Sequence, residues 1–172
     1  EERRDRQQEA PAAEDGTASL ALFGLEPGTT YTYSLRVDDA PVETTYPLAV
    51  TTQELWQWRT DPPTVTVAIG SCYYGNDPAY DRPDRAYADD LTFTRGYGGS
   101  TSIFESIRAT EPDAMLWLGD NVYLREVDWW SPEGITYRYS HAREEADLQP
   151  LLASAAHYAT WDDHDYGPND SD

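Results

Sequence analysis

Three short stretches of the sequence combine residue types that can do chemistry. Residues 70–72 read GSC, residues 119–123 read GDNVY and residues 161–165 read WDDHD. They supply a thiol, a phenol, an imidazole and several carboxylates: Cys72, Tyr123, His164, Asp120, Asp162, Asp163 and Asp165. Carboxylate oxygens suit Ca²⁺, Mg²⁺, Mn²⁺ or Fe³⁺, and a thiolate and a phenolate beside them favour a transition metal, with ferric iron the natural partner of the phenolate. The residue types therefore predict a metal centre.

A centre of this kind has a characteristic chemistry. A carboxylate placed between two metals can bridge them, and two metals a few ångströms apart clamp the attacking and leaving oxygens of a phosphoryl displacement. A histidine just outside the metal ligands can protonate the leaving oxygen.

Each stretch also has a plain structural interpretation. A lone cysteine such as Cys72 is usually a small core residue. Asp120 can be an ordinary residue at a strand exit, Tyr123 can be a packing residue in a chain with thirteen tyrosines, and residues 162–165 can be a solvated acidic loop. The positions of the three stretches relative to the predicted strands decide between the interpretations.

An apolar segment leads into each stretch. Residues 64–72 (TVTVAIGSC) form a β-branched run typical of a strand buried on both faces of a sheet, and residues 113–121 (DAMLWLGDN) predict a second buried strand. Residues 158–170 (YATWDDHDYGPND) indicate a short strand that breaks into a polar loop. All three stretches thus lie at the end of a predicted strand.

Two helical patterns separate these strands. Residues 100–112 carry apolar residues at helical spacing, and residues 135–157 predict a second helix that is broken or kinked near Pro150. His141 and His157 fall in this second helix and are assigned no catalytic role. The alternation of strands and helices predicts an α/β fold with parallel neighbours, in which ligands bind beyond the carboxyl ends of the strands. We therefore expect the three stretches to converge on one site.

The N-terminal part of the chain has a different pattern. Residues 1–18 are charged and alanine-rich, and we expect a flexible or frayed lead. Residues 17–42 alternate apolar and polar residues around Pro27–Gly28, which predicts two antiparallel strands, and residues 55–60 (LWQWRT) predict a third. The pattern changes at residues 61–63, where the α/β segment begins.

Composition limits the classes of partner. The 172 residues carry a formal charge of −20, and the twelve basic residues are all arginines. This field repels nucleic-acid phosphates, and it also repels a phosphate substrate unless bound cations reverse the local sign. The single cysteine excludes an intrachain disulfide, no apolar run reaches membrane-spanning length, and the sequence shows no signal peptide. The oligomeric state is left open.

The motifs resemble the alkaline phosphatase D (PhoD-like) branch of the calcineurin-like metallophosphoesterases. The resemblance rests on GSC, on IFESI…EPDAMLWLGDNVY and on ATWDDHD…ND, and it runs from about residue 19 to the last residue. Residues 19–61, with LEPGTTYTYSLRV…WRT, are similar to the end of the fibronectin-type domain that precedes the catalytic domain in that family. Residues 62–172 then correspond to the N-terminal portion of the catalytic domain. The implied architecture is the first half of a four-layer αββα sandwich, preceded by a partial antiparallel β-sandwich.

The resemblance implies roles for residues of the first two motifs. Cys72 stands where most calcineurin-like enzymes have an Asp-x-His metal motif and where the PhoD-like branch has a cysteine. In GDNVY, Asp120 matches the ligand that bridges the metals. Tyr123 matches the phenolate ligand of ferric iron.

The third motif is matched in the same way. Asp163 takes a metal-ligand position, and His164 takes the position of the catalytic histidine that contacts the phosphate. Asp165 stands where the family usually has glutamate. Asn169 falls near a family asparagine that contacts metal or phosphate, which implies a substrate-binding role.

The implied activity is metal-dependent hydrolysis of phosphoric esters. The resemblance implies Fe³⁺ and Ca²⁺ as metals, with other divalent ions as substitutes, a small phosphate ester as substrate, and a secreted, periplasmic or cell-surface location. Family members continue through a second sheet with further histidine and aspartate ligands, so a chain truncated at residue 172 is expected to bind metal weakly and turn over little. The alternative function is a non-catalytic binding or adhesion module that uses the β-strand segment and the tryptophans.

Overall fold

The computed structural model describes residues 8–13, 16–75 and 100–171. The flexible lead expected over residues 1–18 falls in part on residues 1–7 and 14–15, which lie outside the described residues. The part of this lead that is described forms no helix or strand.

The chain divides into two compact units. Glu1–Tyr31 and Val50–Pro63 make up the first unit, and Thr32–Ala49 and Thr64–Asp172 make up the second. The break after Pro63 lies next to the change in sequence pattern at residues 61–63. Residues 19–61, which the sequence groups together, are however shared between the two units.

Four short strands lie ahead of this break: β1 (Thr30–Thr32), β2 (Arg36–Val37), β3 (Ala40–Pro41) and β4 (Ala49–Thr51). β1 pairs with β4, and β2 pairs with β3 in an antiparallel hairpin. The hairpin turns at Asp38 and Asp39, whose φ angles are 48° and 65°. Positive φ at both central residues gives a turn whose twist matches that of the flanking strands. Pro27–Gly28 forms a turn, as predicted. The antiparallel pair of strands predicted around this turn is not found among the described residues, because β1 pairs with β4 and the antiparallel hairpin turns eleven positions later, at Asp38 and Asp39.

The strand predicted at residues 55–60 is also wrong. Residues 57–59 form a turn, with φ of 63° at Trp58. The backbone N–H groups of Arg59 and Thr60 both donate to the Trp56 carbonyl oxygen, at 2.9 and 3.0 Å. These local hydrogen bonds occupy groups that an extended strand would offer to a neighbouring strand.

The second unit contains a three-stranded parallel sheet of β5 (Val67–Gly70), β6 (Ala114–Leu118) and β7 (Ala156–Thr160). The strands lie in the order β5-β6-β7. Helix α1 (Ile103–Arg108) connects β5 to β6, and helices α2 (Pro132–Arg143) and α3 (Gln149–Ser154) connect β6 to β7. The α/β class predicted from the sequence is confirmed.

The predicted helix over residues 135–157 divides into α2 and α3 and ends earlier than expected. His157 lies on β7, where it pairs in register with Met115 of β6. The placement of His157 in a helix was therefore wrong. Among the described residues, no helix is long and apolar enough to cross a membrane.

The core lies on one face of the sheet. Phe104 of α1 and Leu148 and Leu151, in or next to α3, form a buried cluster, against which Trp117 of β6 and Tyr73 pack. The rings of Tyr73 and Phe104 meet edge to face, with centroids 4.9 Å apart. The site-bearing loop after β5 is thus held against the core by an aromatic contact.

The opposite face of the sheet is more exposed. Val67 and Ile69 of β5 are 43% and 63% exposed, and Leu118 and Tyr158 of the neighbouring strands are 52% and 64% exposed. The side chains of β5 alternate between the two faces, so the expected burial of this strand on both faces was wrong for the described residues.

On the face of the sheet that packs against the core, His157 links Trp117 and Leu151 in a hydrogen-bond relay. The indole Nε1–H of Trp117 donates to His157 Nδ1 at 3.0 Å, and His157 Nε2 lies 3.2 Å from the Leu151 carbonyl oxygen. Because Nδ1 accepts, the proton lies on Nε2, which donates to Leu151. Burial lowers the pKa of His157, the hydrogen bond to Leu151 opposes this shift, and the charge of Arg143 adds to it.

Stability should therefore depend on pH through His157. The unfolded chain takes up a proton near the ordinary pKa of 6.5, whereas the folded chain takes it up only at lower pH. Above the ordinary pKa of 6.5, neutral His157 makes its full contribution to the free energy of unfolding. As the pH falls from 6.5 toward the folded-state pKa, this contribution is lost, by up to about 1.4 kcal/mol per pH unit. We expect His157→Gln to flatten this part of the curve of unfolding free energy against pH, measured by urea denaturation.

His141→Gln provides the control, since His141 is an exposed histidine on α2 that stacks on Tyr137. This variant should keep the pH dependence of the parent chain. Equal flattening in both variants would contradict a specific role of the Trp117–His157–Leu151 relay.

Candidate metal centre

Parallel pairing brings the carboxyl ends of β5, β6 and β7 to one edge of the sheet. Gly70 is in register with Trp117, and Leu118 is in register with Thr160. The pairing of β5 and β6 continues beyond the strands, because Cys72 N–H donates to the Gly119 carbonyl at 3.2 Å. Tyr73 N–H likewise donates to the Asp120 carbonyl, at 2.9 Å. These backbone hydrogen bonds hold the GSC and GDNVY stretches side by side.

Both stretches adopt unusual backbone conformations. Cys72 and Asp120 have φ of 60° and 50°, in the left-handed region that residues other than glycine rarely adopt, and Gly119 has φ of 92°. Strained conformations of this kind cost about 1–3 kcal/mol each and concentrate at functional sites. The turn at each strand end directs the side chain of Cys72 or Asp120 to a position that a regular strand would not give it.

The carboxylate of Asp120 is the centre of the cluster. Its Oδ2 accepts hydrogen bonds from the Tyr123 hydroxyl at 2.8 Å and from the Cys72 thiol at 3.5 Å. Its Oδ1 is buried and has no hydrogen-bond partner among the described residues. Asp120 is only 7% exposed, and a buried carboxylate oxygen without a partner is costly unless a cation neutralises it.

The WDDHD stretch folds back toward Asp120. The Asp162 carboxylate caps a single 3₁₀ turn, Asp163–Asp165, by accepting from Asp163 N–H at 3.0 Å. Asp163 Oδ1 accepts from His164 N–H at 2.8 Å, and its Oδ2 accepts from Asp170 N–H. The Asp163 carboxylate is thus oriented by backbone donors on both sides.

Asp120, Asp163 and His164 together can hold a cation. Each offers one ligand atom, and these atoms lie within 4.8 Å of one another. Nδ1 of His164 is buried without a partner in the part of the chain that the structure describes, as is Oδ1 of Asp120. One carboxylate oxygen and one imidazole nitrogen therefore lack partners within the same cluster. This donor set fits a transition-metal or other divalent or trivalent cation.

Tyr123 lies against this cluster. Its ring centroid is 4.3 Å from that of His164 and 5.0 Å from that of Tyr74. Burial raises the pKa of Tyr123, and the hydrogen bonds and charges of Asp120 and Cys72 raise it further. The phenol is therefore protonated in this structure, and a cation that takes the phenolate as ligand must displace the proton now shared with Asp120.

Asp165 has a structural role that sequence reasoning missed. Its carboxylate is 4% exposed and accepts five hydrogen bonds, from Asn121 N–H (2.7 Å), Val122 N–H (3.2 Å), Asn121 Nδ2 (3.1 Å), Asp162 N–H (3.0 Å) and the Tyr139 hydroxyl (3.0 Å). It thereby ties the WDDHD turn to the loop that carries Asp120 and to helix α2. The sequence signal was the short acidic run, which does not reveal which carboxylate points inward.

Asn169 is exposed, and no hydrogen bond among the described residues involves its side chain. The next residue, Asp170, donates its backbone N–H to Asp163 Oδ2, and the substrate-binding role of Asn169 stays a prediction. The structure therefore groups Cys72, Asp120, Tyr123, Asp163 and His164, five of the six residues predicted for the site.

Gly119 is required for the close approach of these loops. A Cβ atom at this position would lie 2.6 Å from Asp162 Cβ and 3.2 Å from Asp162 N. We expect Gly119→Ala to destabilise the chain by about 2–4 kcal/mol, combining the cost of a left-handed alanine with the clash. Thermal or urea unfolding measures this loss.

Gly16→Ala is the matched control. Gly16 also has positive φ, +79°, but a Cβ there would meet nothing within 4 Å. This variant should lose at most about 1 kcal/mol, the conformational cost alone. A loss of similar size in the two variants would show that Gly119 matters only for its backbone angle.

Comparison with known proteins gives no match: no protein-family model, no curated protein and no solved structure matches this chain.

Proposed function

We propose that this chain is a metal-dependent hydrolase of phosphoric esters, of the PhoD-like kind that its motifs resemble. The observation that carries the proposal is the cluster of Asp120, Asp163 and His164, in which two buried atoms, Asp120 Oδ1 and His164 Nδ1, have no hydrogen-bond partner among the described residues. In this proposal the parallel sheet of the second unit is the first sheet of a four-layer αββα sandwich. Residues 19–61 are the end of a fibronectin-type domain, and the protein acts outside the cytoplasm.

Charge supports the same function. The chain carries 32 acidic and 12 basic residues, a field that repels a phosphate ester. A cation held by the cluster would reverse the sign of the potential where the substrate binds. The acidic composition is then compatible with an anionic substrate only through the metal centre.

Each residue of the cluster has a role. Asp120, Cys72, Tyr123 and Asp163 would hold the cations, which are Fe³⁺ and Ca²⁺ in this proposal. When bound, the cations supply Lewis acidity toward the phosphoryl group and its nucleophile. His164 orients the phosphate and gives a proton to the leaving oxygen.

Metal content and hydrolysis test the proposal together. The purified 172-residue chain is supplied with Fe³⁺ and Ca²⁺, its bound metal is quantified, and turnover of 4-nitrophenyl phosphate and of bis(4-nitrophenyl) phosphate is measured. We expect weak metal binding and low turnover that depends on the added metal. A folded chain that takes up no metal would contradict the proposal and would favour the binding or adhesion module.

His164→Ala separates two roles of this histidine. As the proton donor, His164 can be removed with bound metal retained while turnover falls at least about a hundredfold. A parallel loss of bound metal would instead assign His164 as a ligand. Near-normal turnover would remove it from the mechanism.

Tyr123 gives a spectroscopic prediction. A phenolate bound to ferric iron produces visible absorption by charge transfer, so the iron-loaded chain should be coloured. Tyr123→Phe should abolish the colour, whereas Tyr74→Phe, which alters the ring packed against Tyr123 at 5.0 Å, should keep it. Titration of both variants with Fe³⁺ in a spectrophotometer makes the comparison, and a coloured Tyr123→Phe would exclude this ligand.

A further inference from the structure

The hydroxyl of Tyr139 links helix α2 to the turn that carries His164. It donates to Asp165 Oδ1 at 3.0 Å and lies 3.3 Å from the Asp165 carbonyl oxygen. Asp165 is the last residue of the 3₁₀ turn Asp163–Asp165, so the hydroxyl contacts both the side chain and the backbone at this end of the turn. Tyr139 therefore holds the turn from a helix that belongs to neither the GDNVY nor the WDDHD stretch.

The other four hydrogen bonds to the Asp165 carboxylate come from those two stretches. Asn121 N–H and Val122 N–H share Oδ1 with the Tyr139 hydroxyl, and Asn121 Nδ2 and Asp162 N–H donate to Oδ2. These four bonds tie the two stretches to each other. Of the five donors, Tyr139 is the one that fixes both stretches relative to helix α2.

Tyr139 is itself held in place by its helix. The Arg143 guanidinium lies 5.0 Å from the centre of the Tyr139 ring and donates to the Tyr139 carbonyl at 3.1 Å. Burial raises the pKa of Tyr139, the charge and the hydrogen bond of Asp165 raise it further, and the charge of Arg143 opposes these shifts. The phenol therefore keeps its proton and remains a hydrogen-bond donor to the carboxylate.

The turn that Tyr139 anchors carries two of the three residues that can hold the cation. Asp163 and His164 directly precede Asp165 in the turn, and their ligand atoms lie within 4.8 Å of each other and of the ligand atom of Asp120. Because the turn has only three residues, a displacement at its last residue also moves the other two. The spacing of the ligand atoms thus depends on a contact made outside the cluster.

We propose that Tyr139 is a positioning residue of the metal centre. Its hydroxyl acts through Asp165 and holds Asp163 and His164 in place. Without this contact, the turn and the loop that carries Asp120 would no longer be fixed relative to α2. The inference rests on the proposed function, because it requires that the cluster takes up a cation. Removal of a group that orients metal ligands without touching the metal typically lowers metal affinity about 10–100-fold.

Iron titration of two tyrosine variants tests the role. Tyr139→Phe removes the hydroxyl and keeps the ring under Arg143. Tyr137→Phe is the matched control, because Tyr137 lies on the same helix, is 60% exposed and stacks on His141. Both variants and the parent 172-residue chain are titrated with Fe³⁺, and circular dichroism verifies that each is folded. We expect the Fe³⁺ affinity to fall about tenfold in Tyr139→Phe and to stay unchanged in Tyr137→Phe.

Amide hydrogen exchange of the metal-free chain separates positioning from a general loss of stability. The N–H groups of Asn121 and Val122 donate to the same oxygen as Tyr139, so they should exchange about tenfold faster in Tyr139→Phe. The amides of the central strand β6 should keep the exchange rates of the parent. A general loss of stability would instead speed exchange in the loop and in β6 alike.

Each outcome decides the matter. Weaker Fe³⁺ binding in Tyr139→Phe, together with faster exchange confined to the loop, would establish the positioning role. If the parent binds iron and Tyr139→Phe binds it equally well, the role is overturned and the proposed function stands. Exchange that is unchanged in the loop, or that rises equally in β6, would overturn the role in the same way. A parent chain that takes up no iron would overturn both proposals.

Discussion

Replacing Asp120 with asparagine is expected to remove the proposed metal binding and the proposed hydrolysis together. The amide keeps an acceptor for the Tyr123 hydroxyl but loses the charge and one of the two oxygens that can bridge cations. Metal affinity and turnover of 4-nitrophenyl phosphate should each fall at least about a hundredfold. Isothermal titration with the metal and a steady-state assay measure the two losses.

Asp128→Asn is the control for this variant, because Asp128 is also a buried aspartate, 2% exposed. Its Oδ2 accepts from Arg138 Nε and from Arg125 N–H, both at 2.8 Å, with no part in the cluster. Asp128→Asn should lose about 3 kcal/mol of stability by weakening a buried ion pair and should keep metal binding. Asp120→Asn should lose metal binding and keep the stability of the metal-free chain. If Asp120→Asn bound metal and turned over normally, the bridging role would be excluded.

Asp165→Asn should have the second-largest effect, and it should lower both the stability of the chain and its metal affinity. The amide oxygen can serve the three donors that meet Oδ1, but the amide NH₂ then faces Asn121 Nδ2 and Asp162 N–H, two donors that now meet Oδ2. Two partly buried donors that lose their acceptor cost about 2–5 kcal/mol. Because the loop that carries Asp120 loses its anchor, metal affinity should also fall, by about 10–100-fold.

Asp147→Asn controls for the loss of a carboxylate. Asp147 is exposed and accepts one hydrogen bond, from the Thr101 hydroxyl at 2.7 Å. This variant should change stability by at most about 0.5 kcal/mol and leave metal affinity unchanged. Urea unfolding and metal titration of both variants make the comparison. Unchanged metal affinity in Asp165→Asn would show that the Asp120 loop holds its position without this anchor.

The elements best predicted from the sequence are those whose pattern reflects their own packing. Residues 113–121 contain β6, whose apolar run includes the buried Met115. Residues 100–112 contain α1, whose helical spacing of apolar residues includes the buried Phe104. β7 was assigned in part to a helix, since its alanine-rich start favours helix locally. Its strand conformation comes from pairing with β6, which is a tertiary interaction.

The candidate site likewise has features that the local sequence predicts and features that depend on tertiary contacts. Asp120 and His164 were predicted from residue type and their place after a strand. Which carboxylate oxygen lacks a partner, and that Asp165 anchors the Asp120 loop, could not be predicted. The anchoring by Asp165 depends on its contacts with Asn121 and Tyr139, which lie 44 and 26 positions from it in the sequence.

The contacts that assemble the metal centre also set the order in which it can form. Cys72 and Asp120 are 48 positions apart, and Asn121 and Asp165 are 44 positions apart. Contacts this distant in sequence form late, after the entropy of closing long loops has been overcome. Isolated peptides with GDNVY or WDDHD should therefore capture no cation, and a cation bound as proposed would enter a finished fold and slow its unfolding without templating its formation.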